Sequence, residues 1–145
     1  KVPFPGPLAS VAIGENEGMG TLHYDPANPK CSTMHAVSYA TTRRDVKVWS
    51  LDRFDDNMGN PDRILLWMDI EGSELSALRS GPKLMKSGRV RWINLEEVFQ
   101  PKVPGWCDRS DVHQLLISYG YERVAPYNRH PTHQDVIYLH QDEPR

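Results

Sequence analysis

Apolar and polar positions alternate unevenly along the chain, and one break in the pattern organises the rest. Ile64 to Met68 form a run of five apolar residues. A half-exposed strand would alternate with polar residues, and an amphipathic helix would interrupt the run. The stretch therefore reads as a strand buried on both faces. Apolar character stops at Asp69. There Asp69-Ile70-Glu71-Gly72-Ser73-Glu74 sets two carboxylates two residues apart, then a glycine that permits a tight turn and a serine able to cap a helix. Along an extended strand end, positions 69 and 71 point to the same side. Both acids thus converge at the carboxyl end of a central strand, where open parallel sheets place their ligands.

The flanking pattern predicts further elements. Residues 1 to 7 hold three prolines and read as an extended lead-in. Leu8 to Ile13 is a short strand that runs through Gly14, Gly18 and Gly20 into a second strand, Thr21 to Tyr24. Glycines after a strand can cradle an anion or cofactor, but that arrangement needs a helix directly afterwards. The helix-terminating Asp25-Pro26-Ala27-Asn28-Pro29 follows instead, which favours a hairpin. Residues 25 to 34 read as a polar loop, Met34 to Ala40 as a strand, and Asp45 to Ser50 as a strand of exposed or edge type. Asp55 to Pro61 is an acidic, turn-rich connection whose spacing does not match a calcium loop.

Beyond the central strand, a helix beginning at Gly72 or Ser73 buries Leu75, Leu78, Leu84 and Met85 and splits at Gly81-Pro82. Arg89 to Val98 is the next strand, ending in Glu96-Glu97, and Pro101 to Pro104 is a loop. A helix from Asp108 or Ser110 to Tyr119 buries Val112, Leu115, Leu116 and Tyr119 and stops at Gly120. Tyr121 to Pro126 and Asp135 to His140 close the chain as two strands. The whole reads as a single α/β domain over residues 1 to 145, without internal repeats.

The run Trp49-Ser50-Leu51-Asp52-Arg53-Phe54, followed by Leu66-Trp67-Met68-Asp69-Ile70-Glu71-Gly72-Ser73-Glu74 and Leu78, resembles the LD and D-x-E-G-x-E signatures of the FkbM family of S-adenosylmethionine-dependent methyltransferases. The resemblance covers roughly residues 9 to 140 and only the later half of such a domain. It implies a partial Rossmann-like sheet, mixed, with an antiparallel C-terminal strand pair. It also implies S-adenosylmethionine as cofactor, with Asp52 and Asp69 on the cofactor side, and a small-molecule or sugar hydroxyl as methyl acceptor. The family's lysine before the hydrophobic residue and Asp is absent, since Trp67 and Met68 stand there. The family's cofactor-gripping glycine turn and its ribose-binding acid belong to the half this sequence lacks. The chain is therefore expected to be a fragment, to complete its site with another chain, or to serve as a binding module that keeps half of the fold.

Hydroxyl methylation needs donor and acceptor aligned and a base for the hydroxyl proton. Asp69 and Glu71 are the candidates for that base or for holding the acceptor, because closely packed carboxylates raise one pKa towards neutrality. Glu74, Glu96 and Glu97 are candidate substrate-binding residues, with helix capping or plain exposure as the alternative. Clustered acids could instead hold a divalent cation. His130 and His133 lack companions for a zinc site, and His113 reads as surface.

Hydrophobic residues at 39%, charged residues at 25% and a net charge of −2 exclude a general pull towards nucleic acid or anionic membrane. Apolar runs fall short of a membrane span and the proline-rich start does not suit a signal peptide, so a cytoplasmic location is expected. Cys31 and Cys107 lie far apart and read as reduced thiols. A half-sheet beginning at its third strand exposes an apolar edge, from which a homo-oligomer is expected.

Overall fold

The computed structural model describes residues 9–99 and 103–142, so the proline lead-in, Leu8, and Pro101 and Lys102 of the Pro101 to Pro104 loop lie outside the described residues. The chain runs β1 (Val11–Ile13), β2 (Gly18–Asp25), β3 (Asn28–Thr33), β4 (Thr42–Trp49), α1 (Leu51–Asn57), β5 (Ile64–Met68), α2 (Glu74–Arg79), α3 (Pro82–Lys86), β6 (Val90–Val98), α4 (Arg109–Ser118), β7 (Tyr121–Tyr127) and β8 (His133–His140). Its strands form two four-stranded mixed sheets, ordered β1-β4-β2-β3 and β5-β6-β8-β7. The α/β class is as expected; a single half-sheet is not what forms.

In the first sheet, β4 lies between β1, parallel to it, and β2, antiparallel to it. Val46 and Val48 therefore belong to an interior strand and not to an edge, though half of the strand's residues are exposed, the other form their alternation suggested. β1 and β2 flank β4 and do not pair, so the glycine segment is a crossing connection and no hairpin. The hairpin is β2–β3, closed where the Ala27 amide donates to Asp25 Oδ1 at 2.9 Å. Residues expected as loop thus supply β3, which tolerates Pro29 because β3 is an edge strand. Met34 to Ala40, expected as a strand, is irregular.

In the second sheet, the crossover through α2 and α3 makes β5 and β6 parallel, and the antiparallel pair β8 and β7 completes the layer as expected. Among the described residues β5 is an edge strand with one partner, which corrects its expected central place. Its burial alternates as well. Met68 is buried, whereas Leu65 and Trp67 are 56% and 68% exposed. A strand is buried on both faces only where a layer covers each face. Here the helices meet one face, where Leu51, Ala77, Leu78, Leu84, Met85, Val112 and Leu116 pack against Met68, Ile93, Leu95, Val136 and Tyr138.

The break at Gly81-Pro82 separates α2 from α3 as expected, with Pro82 in the first turn, where its missing amide hydrogen costs nothing. α1 was not expected. Ser50 starts it by accepting from the Arg53 amide at 3.1 Å, and its Leu51 reaches the core. No helix among the described residues is long and apolar enough to cross a membrane.

Candidate functional site

The site is built where β5 ends. The Glu71 and Gly72 backbones both take left-handed conformations, with φ of 51° and 90°. A Cβ at position 72 would overlap the Trp106 indole, so glycine is required there by both torsion and space. Strain of this kind at a non-glycine residue persists only where the surroundings hold it. They do so from three sides. Thr33 Oγ1 donates to the Glu71 carbonyl at 2.8 Å, Glu74 Oε1 accepts from the Ile70 amide at 3.2 Å, and the Cys107 amide donates to the Gly72 carbonyl at 3.2 Å.

Asp69 and Glu71 were expected to align through strand alternation. The strand ends at Met68, and the turn orients Glu71 instead. The acids still share one field. Burial pushes the Glu71 carboxyl up to about 6, with further upward pressure from Glu96, Asp69 and Glu74, while the Cys31 thiol eases it. Burial also raises Glu96, whose Oε1 lies 3.5 Å from His133 Nε2. Asp69 is exposed and lines an open cavity of about 900 Å³ between the β1 side of the first sheet and the edge of β5. A second cavity of about 590 Å³ adjoins it, since both are lined by Ile13, Met19, Met34 and Ser73.

Three expected site residues are occupied otherwise. Glu97 points to the helix-covered face, where it is 3% exposed. Its carboxylate accepts from Arg123 at 2.9 and 3.2 Å, from Gln134 at 2.9 Å and from Tyr138 at 2.9 Å. Burial alone would raise its pKa, but these bonds outweigh burial and lower it. A carboxylate so saturated has no lone pair left for substrate. Asp52 turns both oxygens to the start of α3, accepting from the Lys83 and Leu84 amides at 3.1 and 2.8 Å, so it caps a helix. Glu74 is likewise 3% exposed, and its Oε2 lies 3.4 Å from Cys107 Sγ; it braces the turn.

The sequence reading missed the residues that cover the turn. Thr33 and His35 lie here, with the His35 amide on Thr33 Oγ1 at 3.2 Å and His35 Nε2 at 3.3 Å from Ser73 Oγ. Ser73 stands at the helix N-cap without making the side-chain capping bond. The spacing of Cys31 and Thr33, two residues apart on β3, carried part of the signal, but Pro26 and Pro29 argued for a loop, and His35 lies in the irregular segment beyond the strand. His113, read as surface, is half-buried with Nδ1 3.1 Å from the Tyr138 hydroxyl. His130 and His133 stack on each other at 4.5 Å. Among the described residues no three His, Cys, Asp or Glu side chains are arranged to hold a metal ion. Burial raises the Cys107 thiol to about 11, which keeps it protonated and unreactive.

Residues 4–123 match the family described as Methyltransferase FkbM domain. No curated protein and no solved structure matches the chain.

Proposed function

Because the chain belongs to the FkbM methyltransferase domain family, we propose that it carries the acceptor side of an enzyme that methylates a hydroxyl group of a small molecule or sugar. Glu71 takes the hydroxyl proton and Asp69 holds the acceptor at the mouth of the larger cavity, with Glu96 maintaining the field between them. The observation that carries this reading is the strained Glu71, whose carboxyl is pushed up to about 6, as a base working near neutrality requires. A glutamate with ordinary surroundings at the same place would be too weak a base to help much.

S-adenosylmethionine is the donor that family membership implies, and it would supply an electrophilic methyl group. The described residues do not by themselves fit a grip for it. The glycine segment Gly14 to Gly20 leads from β1 into β2 and opens no helix, and Asp52 is engaged at α3. The reading therefore assigns donor binding to another part of the catalytic unit and treats β5-β6-β8-β7 as the later half of a Rossmann-like sheet. Parallel β5–β6 followed by an antiparallel pair supports that assignment. The same lack of a donor grip favours a second reading, a non-catalytic binding module.

The two readings separate in an active unit that contains this chain. Asp69→Asn and Glu71→Gln should each lower turnover by roughly 10²-fold or more without lowering the melting temperature. The limb of the pH–rate profile near 6 should vanish with Glu71→Gln. Unchanged turnover, or turnover and stability falling together, sinks the base assignment. Failure of every assembly containing the chain to bind S-adenosylmethionine in a calorimetric titration leaves the binding module.

A further inference from the structure

β3 brings the first sheet to the acid turn. It is an edge strand, yet its last residue, Thr33, is only 1% exposed. The Thr33 hydroxyl works in both directions, donating to the Glu71 carbonyl at 2.8 Å and accepting from the His35 amide at 3.2 Å. Glu71 lies 38 residues away in sequence and holds a φ of 51°, a conformation that a non-glycine residue keeps only under restraint. Cys31, two residues before Thr33 and so on the same face of β3, hydrogen-bonds through its thiol to the Glu71 carboxyl. Tyr39, farther along the same segment, also stands in the field of that carboxyl.

We infer that β3 is the positioning element for Glu71, with Thr33 fixing its backbone and Cys31 its carboxyl. The left-handed backbone directs the side chain to the half-buried place it shares with Asp69, Glu74 and Glu96. The Cys107 amide holds the next carbonyl, that of Gly72, and leaves the Glu71 carbonyl to Thr33. Released from Thr33, residue 71 returns to a commoner conformation and its carboxyl swings towards water. The two contacts therefore act in opposite senses. Thr33 keeps the carboxyl among acids that resist its ionisation, whereas Cys31 donates to the ionised form and favours it. The consequence for turnover rests on the reading of Glu71 as the base; the hold itself does not.

Carbon-13 NMR of the glutamate carboxyls tests the inference on the chain alone, the Glu71 signal being assigned by its loss in Glu71→Gln. Thr33→Val keeps the side-chain shape without the hydroxyl and should move the Glu71 midpoint from about 6 towards the ordinary 4.5, while Thr33→Ser should leave it at about 6. Cys31→Ala should move it the other way, above about 6. A general loosening would lower both, and a mere tie between the sheets would cost stability without moving the midpoint. Should Thr33→Val fail to fold, Thr33→Cys, a weaker donor, should shift the midpoint in the same downward direction. In an active unit Thr33→Val should lower kcat roughly 10- to 100-fold with the acceptor KM little changed, and Thr33→Ser should restore it. A midpoint unmoved by loss of the Thr33 hydroxyl, or lowered in Cys31→Ala, overturns the proposal. Midpoints that shift as expected with kcat unchanged uphold the hold of β3 on Glu71 and sink the base reading instead.

Discussion

The two faces of the second sheet come from the same four strands and behave as different materials. Glu96 and Glu97 are adjacent in β6, yet one is pushed up by burial among other acids and the other is held down by Arg123, Gln134 and Tyr138 despite deeper burial. On the helix-covered face, Ile93, Leu95, Val136 and Tyr138 are fully buried, and the Glu97 carboxylate has every partner it can use. On the bare face, tryptophans meet water and the acids at the strand ends have few counter-charges. Burial depth alone does not set a carboxyl group's pKa; the donors within reach do. Stability is concentrated on the covered face, and the groups that can change charge near neutrality lie at the carboxyl ends, next to the cavity.

Substitutions should reveal that division by their size. Leu95→Ala, on the covered face, is expected to cost about 3–4 kcal/mol, since it removes side-chain contacts and leaves a cavity in the packed core. Chemical unfolding measures it, and a cost below that of a surface change would mean the face is not the core. Next comes Arg123→Met, which strands the Glu97 carboxylate. Loss of a buried partner costs up to about 3–5 kcal/mol, but Gln134 and Tyr138 remain, so about 2 is expected.

The pH dependence of that variant sharpens the contrast. Glu97 is depressed below its ordinary 4.5 in the folded chain, so its contribution is present above about 4.5 and is lost as pH falls through the lower folded value. Arg123→Met should remove much of that acid-side loss, which urea titrations across pH 3–6 would display.

Glu71 has the opposite sign. Its folded value of about 6 lies above 4.5, so stability is full below about 4.5 and declines as pH rises through 6. Glu71→Gln should therefore stabilise the chain at pH 7.5 by up to about 1 kcal/mol, the half-buried position being partly screened by water, and should change nothing at pH 4. Destabilisation at both pH values would show that the strained turn needs the carboxylate. The smallest effect belongs to the bare face: Trp67→Lys should alter unfolding of the dilute chain by no more than about 0.5 kcal/mol. A larger loss would mean that Trp67 packs within the subunit and that the two faces differ less than described.

Much of the candidate site was legible because it is local in sequence. Asp69, Glu71 and Gly72 lie within four residues, and a strand that ends in a glycine turn must gather them whatever lies beyond. The misjudged residues depended on contacts from afar. Asp52 meets α3 across 31 and 32 residues, and Glu97 meets Gln134 across 37 and Tyr138 across 41. His35 reaches Ser73 across 38 residues. No periodicity in a short window reports such pairings. Two acids side by side at a strand's end look alike until the strand's two faces are assigned to different neighbours.

The sequence by itself determined the elements around the acid turn, the helix break at Gly81-Pro82, the antiparallel ending and the family, because each is written in adjacent residues or in a motif. Only the tertiary structure decided that β5 is an edge, that β4 is interior, and that Glu71 and not Glu97 keeps a carboxyl free to titrate. The physical reason is that a strand's neighbours, and so the burial and charge around every second side chain, are supplied by segments distant along the chain.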